Sequence, residues 1–91
     1  MGAVYCLETE KRVEKAFEKM AKKDKAQYEA IFKKIRQILE NPYQFKPLKK
    51  PLQNYRRVHV GSFVLVYTID EKSKVVRVCN YKHHDEIYKS S

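Results

Sequence analysis

The spacing of apolar positions changes character twice along the chain. Val13, Ala16, Phe17, Met20 and Ala21 recur at the i, i+3, i+4, i+7, i+8 intervals of one helical stripe. Lys11, Arg12, Lys15 and Lys19 then face water, with Glu10, Glu14 and Glu18 interleaved, and Thr9 stands where a helix N-cap is wanted. A second stripe, Tyr28, Ile31, Phe32, Ile35, Ile38 and Leu39, opens behind Asp24 and Gln27, whose spacing is that of a capping box. Asn41-Pro42 ends it, because proline cannot continue the backbone ladder.

Beyond the second stripe the period falls to two. Tyr55 to Val60, Ser62 to Ile69 and Lys74 to Tyr81 are rich in Val, Tyr and Ile and are divided by Gly61 and by Asp70-Glu71-Lys72-Ser73. Both connections suit hairpins, which predicts a three-stranded antiparallel meander. Ala3 to Leu7, apolar but too short to nucleate a helix, reads as a further strand. The predicted fold class is α+β, with an N-terminal strand and a two-helix hairpin packed on one face of a small antiparallel sheet, in a single domain over residues 1–91.

Phe63-Val64-Leu65-Val66-Tyr67 is apolar on both faces and belongs at the centre of that sheet. On the preceding strand Tyr55, Arg57 and His59 share one face, with Arg56, Val58 and Val60 on the other. Two helices cover one face of a sheet, so the opposite face is the candidate working surface. The connecting loop holds Lys46-Pro47-Leu48-Lys49-Lys50-Pro51-Leu52; its lysines cannot all be buried, so it should form a basic rim beside the sheet.

Charge strengthens this picture. The 91 residues carry 20 Lys and Arg against 11 Asp and Glu, a net charge of +9 that seeks a polyanion or an acidic partner. From Asn41 to Ile69 five bases (Lys46, Lys49, Lys50, Arg56 and Arg57) occur without an acid, so the excess field lies largely in the second half. The apolar fraction of 43%, with 2 Gly and 3 Pro, argues against disorder and low complexity. Cys6 and Cys79 sit in apolar segments without CxxC spacing or a preceding signal peptide, and read as buried, reduced thiols of a cytoplasmic protein. No apolar run approaches the ~20 residues of a membrane span.

Candidate chemistry also gathers in the second half. His59, His83 and His84 are the three histidines, and their spacing, unsupported by a cysteine pair, does not suit a metal site, so neither metal nor cofactor is expected. His59 lies on the strand beside Arg57. His84 lies just past a strand end, with Lys82 and Asp85 beside it and Tyr88 four residues on. RNA cleavage needs a base for the 2′-hydroxyl proton, an acid for the leaving oxygen and cations to hold the phosphate. Histidine, tyrosine, lysine and arginine on an exposed sheet face supply these roles; the same residues also suit plain RNA binding, where cations hold phosphates and aromatic rings stack on bases.

Lys46-Pro47-Leu48, the double strand from Tyr55-Arg56-Arg57-Val58-His59-Val60-Gly61 to Leu65-Val66-Tyr67, and the terminal His84-Asp85-Glu86-Ile87-Tyr88 together resemble the RelE/ParE toxin superfamily. The preceding strand and helical hairpin extend the likeness over nearly the whole chain. The resemblance implies the toxin of a type II toxin–antitoxin pair, a metal-independent endoribonuclease that cuts messenger RNA on the ribosome. Where RelE carries a catalytic arginine in the central strand, this chain has Val64. His59, and His84 with Tyr88, are more similar to a YafQ-like branch, which also has a histidine ahead of Pro-Leu where this chain has Lys46 and an aspartate near Ser62.

Under this reading His84 is the general acid or base, His59 its partner or a phosphate donor, and Tyr88 a stacking or orienting group. Arg57, Arg77 and Lys46 are cations at the phosphate, with Lys49, Lys50, Lys82 and Arg56 as further RNA contacts. Arg77 also has a plainer reading as a solvated edge charge. The implied partners are an acidic, RelB-like antitoxin in a hetero-oligomer, the ribosome and its messenger RNA, with no membrane. The rivals are a ParE-like toxin that acts by binding gyrase and a non-catalytic RNA-binding module.

Overall fold

A computed structural model describes residues 5–52 and 54–83. Strand β1 (Cys6–Thr9) leads into helices α1 (Lys11–Lys23) and α2 (Lys25–Glu40) and a 3-10 turn (Pro42–Gln44). Strands β2 (Tyr55–Val60), β3 (Phe63–Asp70) and β4 (Val75–His83) follow. The sheet order is β1-β4-β3-β2, and β2, β3 and β4 form the expected antiparallel meander. β1 pairs with β4 in parallel, so the whole sheet is mixed and β4 lies inside it. The plainer reading of Arg77 as a solvated edge charge is corrected in position alone: its strand has a neighbour on each side, and its side chain is exposed on the sheet face.

The helical stripes cover one face. Val13 and Phe17 of α1 and Ile31, Ile35 and Ile38 of α2 pack on Val58, Val60, Leu65, Tyr67, Val76, Val78 and Tyr81 of the sheet. Ala21, the last member of the first stripe, is exposed at the helical turn. Phe17 meets Phe32 and Tyr81 edge-on, and Phe63 stacks on Tyr81 with ring centres 4.9 Å apart, which extends the core to the β2–β3 turn.

Two helix starts differ from expectation in instructive ways. Thr9 does not cap α1: it pairs with Val78 as the last residue of β1, so Glu10 takes the N-cap position without a side-chain cap bond. Ala3 and Val4, expected in the first strand, lie outside the described residues. Asp24 does cap α2, accepting from the Gln27 amide at 3.1 Å. The Gln27 side chain, however, does not close the box. Its Nε2 reaches the sheet and donates to the Val60 carbonyl at 2.8 Å and to the Tyr81 hydroxyl at 3.0 Å. Gly61 beside it turns the chain at φ +62°, a conformation that favours glycine, and a Cβ there would press on Gln27 Oε1 at 3.0 Å.

A bulge breaks the β3–β4 ladder: Val66 opposes Asn80 and Tyr67 opposes Val78, leaving Cys79 as the extra residue. It resets the alternation of β4. Val76 and Val78 enter the core before it and Tyr81 after it, so Arg77, Asn80 and Lys82 all belong to the opposite face. The Arg12 guanidinium donates to the Cys79 carbonyl at 3.1 Å, supplying a partner where the ladder is interrupted. The two cysteines are free thiols, but they are not both buried as expected: Cys6 is exposed because β1 is an edge strand, and Cys79 is half-buried, its thiol pushed up by that burial.

At the far end, the β3–β4 turn closes on three neighbours. The Glu71 carboxylate accepts from the Tyr5 hydroxyl at 2.8 Å and the Tyr43 hydroxyl at 2.6 Å, and pairs with Lys74. Lys74 and these two donors hold its carboxyl down to about 2, while the same carboxylate pushes the Tyr43 phenol up to about 12.

Candidate nucleic-acid interface

Strand register assembles the face turned away from the helices into three rows. His59 pairs with Val64 and Val64 with Lys82; Arg57 pairs with Val66 and Val66 with Asn80. The third row runs Tyr55, Thr68, Arg77, Glu8 across all four strands. Val64 and Val66 are buried, forming an apolar floor between Arg57 and His59 on one side and Asn80 and Lys82 on the other. His59, Arg77 and Lys82 are exposed, and Tyr55 is a large aromatic ring open to solvent.

The lysine loop extends this face. The Arg57 amide donates to the Lys46 carbonyl at 3.3 Å, Pro47 pairs with Arg56, and the Leu48 amide donates to the Tyr55 carbonyl at 2.8 Å. The segment thus lies antiparallel along the outer edge of β2. By alternation from Pro47 opposite Arg56, Lys46 falls on the side of Arg57. Lys49 and Lys50 follow in an exposed turn at the Tyr55 end. This is the basic rim expected from composition, on a strand edge that would otherwise be open.

Of the other residues singled out, Arg56 is held elsewhere. It points to the helix side, where Nη1 donates to the Phe45 carbonyl at 2.6 Å and the guanidinium lies 5.1 Å from the centre of the Tyr43 ring. His83 also lies on that side, edge-on to Phe63 at 5.4 Å. His84 and Tyr88 lie outside the described residues. Arg77 joins the face already partnered, its Nε and Nη2 donating to Glu8 Oε1 at 3.1 and 2.8 Å, and this carboxylate raises its pKa further.

Sequence reasoning missed Glu8, Thr68 and Asn80. Thr68 follows from extending the alternation of β3. Asn80 needs the bulge, and Glu8 needs the parallel pairing of two segments nearly 70 residues apart; neither has a local signal. The assembled face offers cations for phosphate oxygens, an aromatic ring for stacking and an imidazole for proton transfer.

The sequence also matches, over residues 7–88, the family described as the ParE toxin of the type II toxin–antitoxin system parDE. The chain belongs to this family of toxins, within the RelE/ParE superfamily. A Methanosarcina mazei protein described as uncharacterized is 46% identical over 86 residues, spanning 93% of this chain and all of that protein. A Methanocaldococcus jannaschii protein, named as a candidate toxin RelE4, is 42% identical over 87 residues, 94% of this chain and 93% of that one.

Solved structures carry the same fold at lower identity. The YoeB/ParE toxin from Agrobacterium tumefaciens superposes with a TM-score of 0.78 at 19% identity, covering 87% of this chain and 98% of that one. A doubly substituted mutant of Escherichia coli toxin RelE, in complex with a peptide of the antitoxin RelB, gives 0.75 at 22% identity, covering 93% and 90%. Among the described residues, no helix is long and apolar enough to cross a membrane.

Proposed function

We propose that this toxin is a ribosome-dependent, metal-independent endoribonuclease that cuts messenger RNA. The observation that carries the proposal is the row structure of the sheet, which gathers Tyr55, Arg57, His59, Arg77 and Lys82 on one face beside Lys46. In the reaction one of His59 and His84 takes the proton of the 2′-hydroxyl. The 2′-oxygen then bonds to phosphorus as the bond to the 5′-oxygen breaks, and the second histidine protonates the departing oxygen. Arg57, Arg77, Lys46 and Lys82 stabilise the charge that builds on the phosphate, and Tyr88 orients the base or the imidazole. Lys49 and Lys50 hold the RNA backbone further out.

The partner of the free toxin is an acidic, RelB-like antitoxin that folds on the basic surface, giving a cytoplasmic hetero-oligomer. Support comes from the net charge of +9 and from the RelE relative held by an antitoxin peptide. The ParE description of the family favours a second reading, a toxin that binds gyrase.

A purified translation system with a defined message, beside a gyrase supercoiling assay, tests the two. Cleavage within the reading frame only during translation is expected, with His84→Ala and Tyr88→Ala each slowing it by roughly 10²–10⁴-fold. Inhibited supercoiling with an intact message would replace the nuclease by the gyrase reading.

A further inference from the structure

Among the three rows of the candidate interface, one contains an acid. The His59–Val64–Lys82 and Arg57–Val66–Asn80 rows carry cations over an apolar floor, whereas the third ends in Glu8. Glu8 is brought there by the parallel pairing of β1 with β4, directly opposite Arg77. Both Nε and Nη2 of Arg77 donate to Glu8 Oε1. This is the edge of a guanidinium fork that matches carboxylate and phosphate alike. The two side chains are about half exposed, 54% for Arg77 and 52% for Glu8, so solvent screens the pair and holds it weakly.

We propose that Glu8 is an affinity-setting residue that occupies the phosphate-binding edge of Arg77 and is displaced when RNA is seated. This rests on the RNA-cleaving reading. In the free toxin this guanidinium is thereby spent on an internal carboxylate. A phosphate reaching the Tyr55–Thr68–Arg77 row must exchange with Glu8, which leaves the loose capture of RNA to exposed lysines such as Lys46 and Lys82. Glu8 thus lowers affinity for RNA that engages the face incompletely and favours RNA held in place by further contacts.

The test is a double-mutant cycle on the full chain, read by fluorescence anisotropy of a short labelled single-stranded RNA at several salt concentrations. Glu8→Gln should tighten binding by roughly two- to fivefold at low salt, the range open to an exposed ion pair. The gain should vanish in the Arg77→Ala background. Glu18→Gln on α1, the same change in net charge away from the face, should give less than half of it. An equal gain with Arg77 absent, an equal gain from Glu18→Gln, or no gain at all overturns the proposal. In each of these cases the RNA reading stands provided Lys82→Ala and Arg57→Ala weaken binding. A chain that binds no RNA, or whose binding ignores Arg57, Lys82 and Arg77 alike, overturns both.

Discussion

The hydroxyl of Tyr67 donates to the carbonyl of Pro42 at 2.6 Å, and both residues are buried. This contact joins the central strand to the turn where α2 ends, so it fixes the starting point of the lysine loop that runs back along β2. Burial pushes the phenol up to about 12, keeping it a proton donor throughout the neutral range. Tyr67→Phe keeps the ring and strands a buried carbonyl. A loss of about 1–3 kcal/mol is expected, measured as a shift in the denaturant midpoint at unchanged slope.

The Glu71 clasp predicts an acid-sensitive component of stability. Its carboxyl is held at about 2 against an ordinary 4.5, because Lys74, Tyr43 and Tyr5 all favour the charged form. A group depressed in the folded state stabilises the fold above its unfolded value and loses that contribution as pH falls through the folded one. Melting temperature should therefore drop between pH about 4.5 and about 2, and the drop should be smaller in Glu71→Gln. Parallel melting curves for the two chains over that interval check this, and identical pH profiles would remove the clasp from the account of stability.

Much of this architecture is legible because the signals are local. The two stripes that begin at Val13 and Tyr28 name the helix faces, and alternation on β2 sets Val58 and Val60 apart from Arg57 and His59. Gly61 and Asp70 to Ser73 mark both hairpin turns. What stayed hidden depends on distant pairing. The parallel partnership of β1 and β4 exposes Cys6, takes Thr9 from the helix cap and delivers Glu8 to Arg77. The bulge at Cys79 shifts the face of every later residue on β4, and nothing in Val78-Cys79-Asn80 announces it. Arg56, by contrast, is separated from Arg57 by local alternation alone; what the sequence does not name is where it goes, to the Phe45 carbonyl and the Tyr43 ring.

The lysine loop should act on RNA in a graded way. Lys46 lies beside Arg57, while Lys49 and Lys50 are in the exposed turn beyond it. For every phosphate that a lysine no longer neutralises, the slope of log affinity against log salt should flatten by about 0.7 for single-stranded RNA. Replacing Lys46, Lys49 and Lys50 together by Ala should reduce the slope by up to about 2 while leaving the melting temperature unchanged. Filter binding across a salt series measures it; an unchanged slope returns these lysines to the role of solvated loop charges.

His59 gives the sharpest division between proton transfer and simple charge. It stands exposed at the end of the His59–Val64–Lys82 row, across the buried Val64 from a lysine, so its loss removes no core packing. A histidine that moves a proton is needed in the transition state and contributes little to ground-state binding, so its removal lowers the rate and spares affinity. His59→Ala should slow cleavage of translated message by roughly 10²–10⁴-fold with RNA affinity nearly unchanged. His59→Lys places a fixed cation at the position in place of an imidazole that can both take and give a proton, so it should fail to restore the rate. Single-turnover cleavage beside equilibrium binding separates the two roles: rescue by lysine would make His59 a phosphate donor and leave proton transfer to other groups.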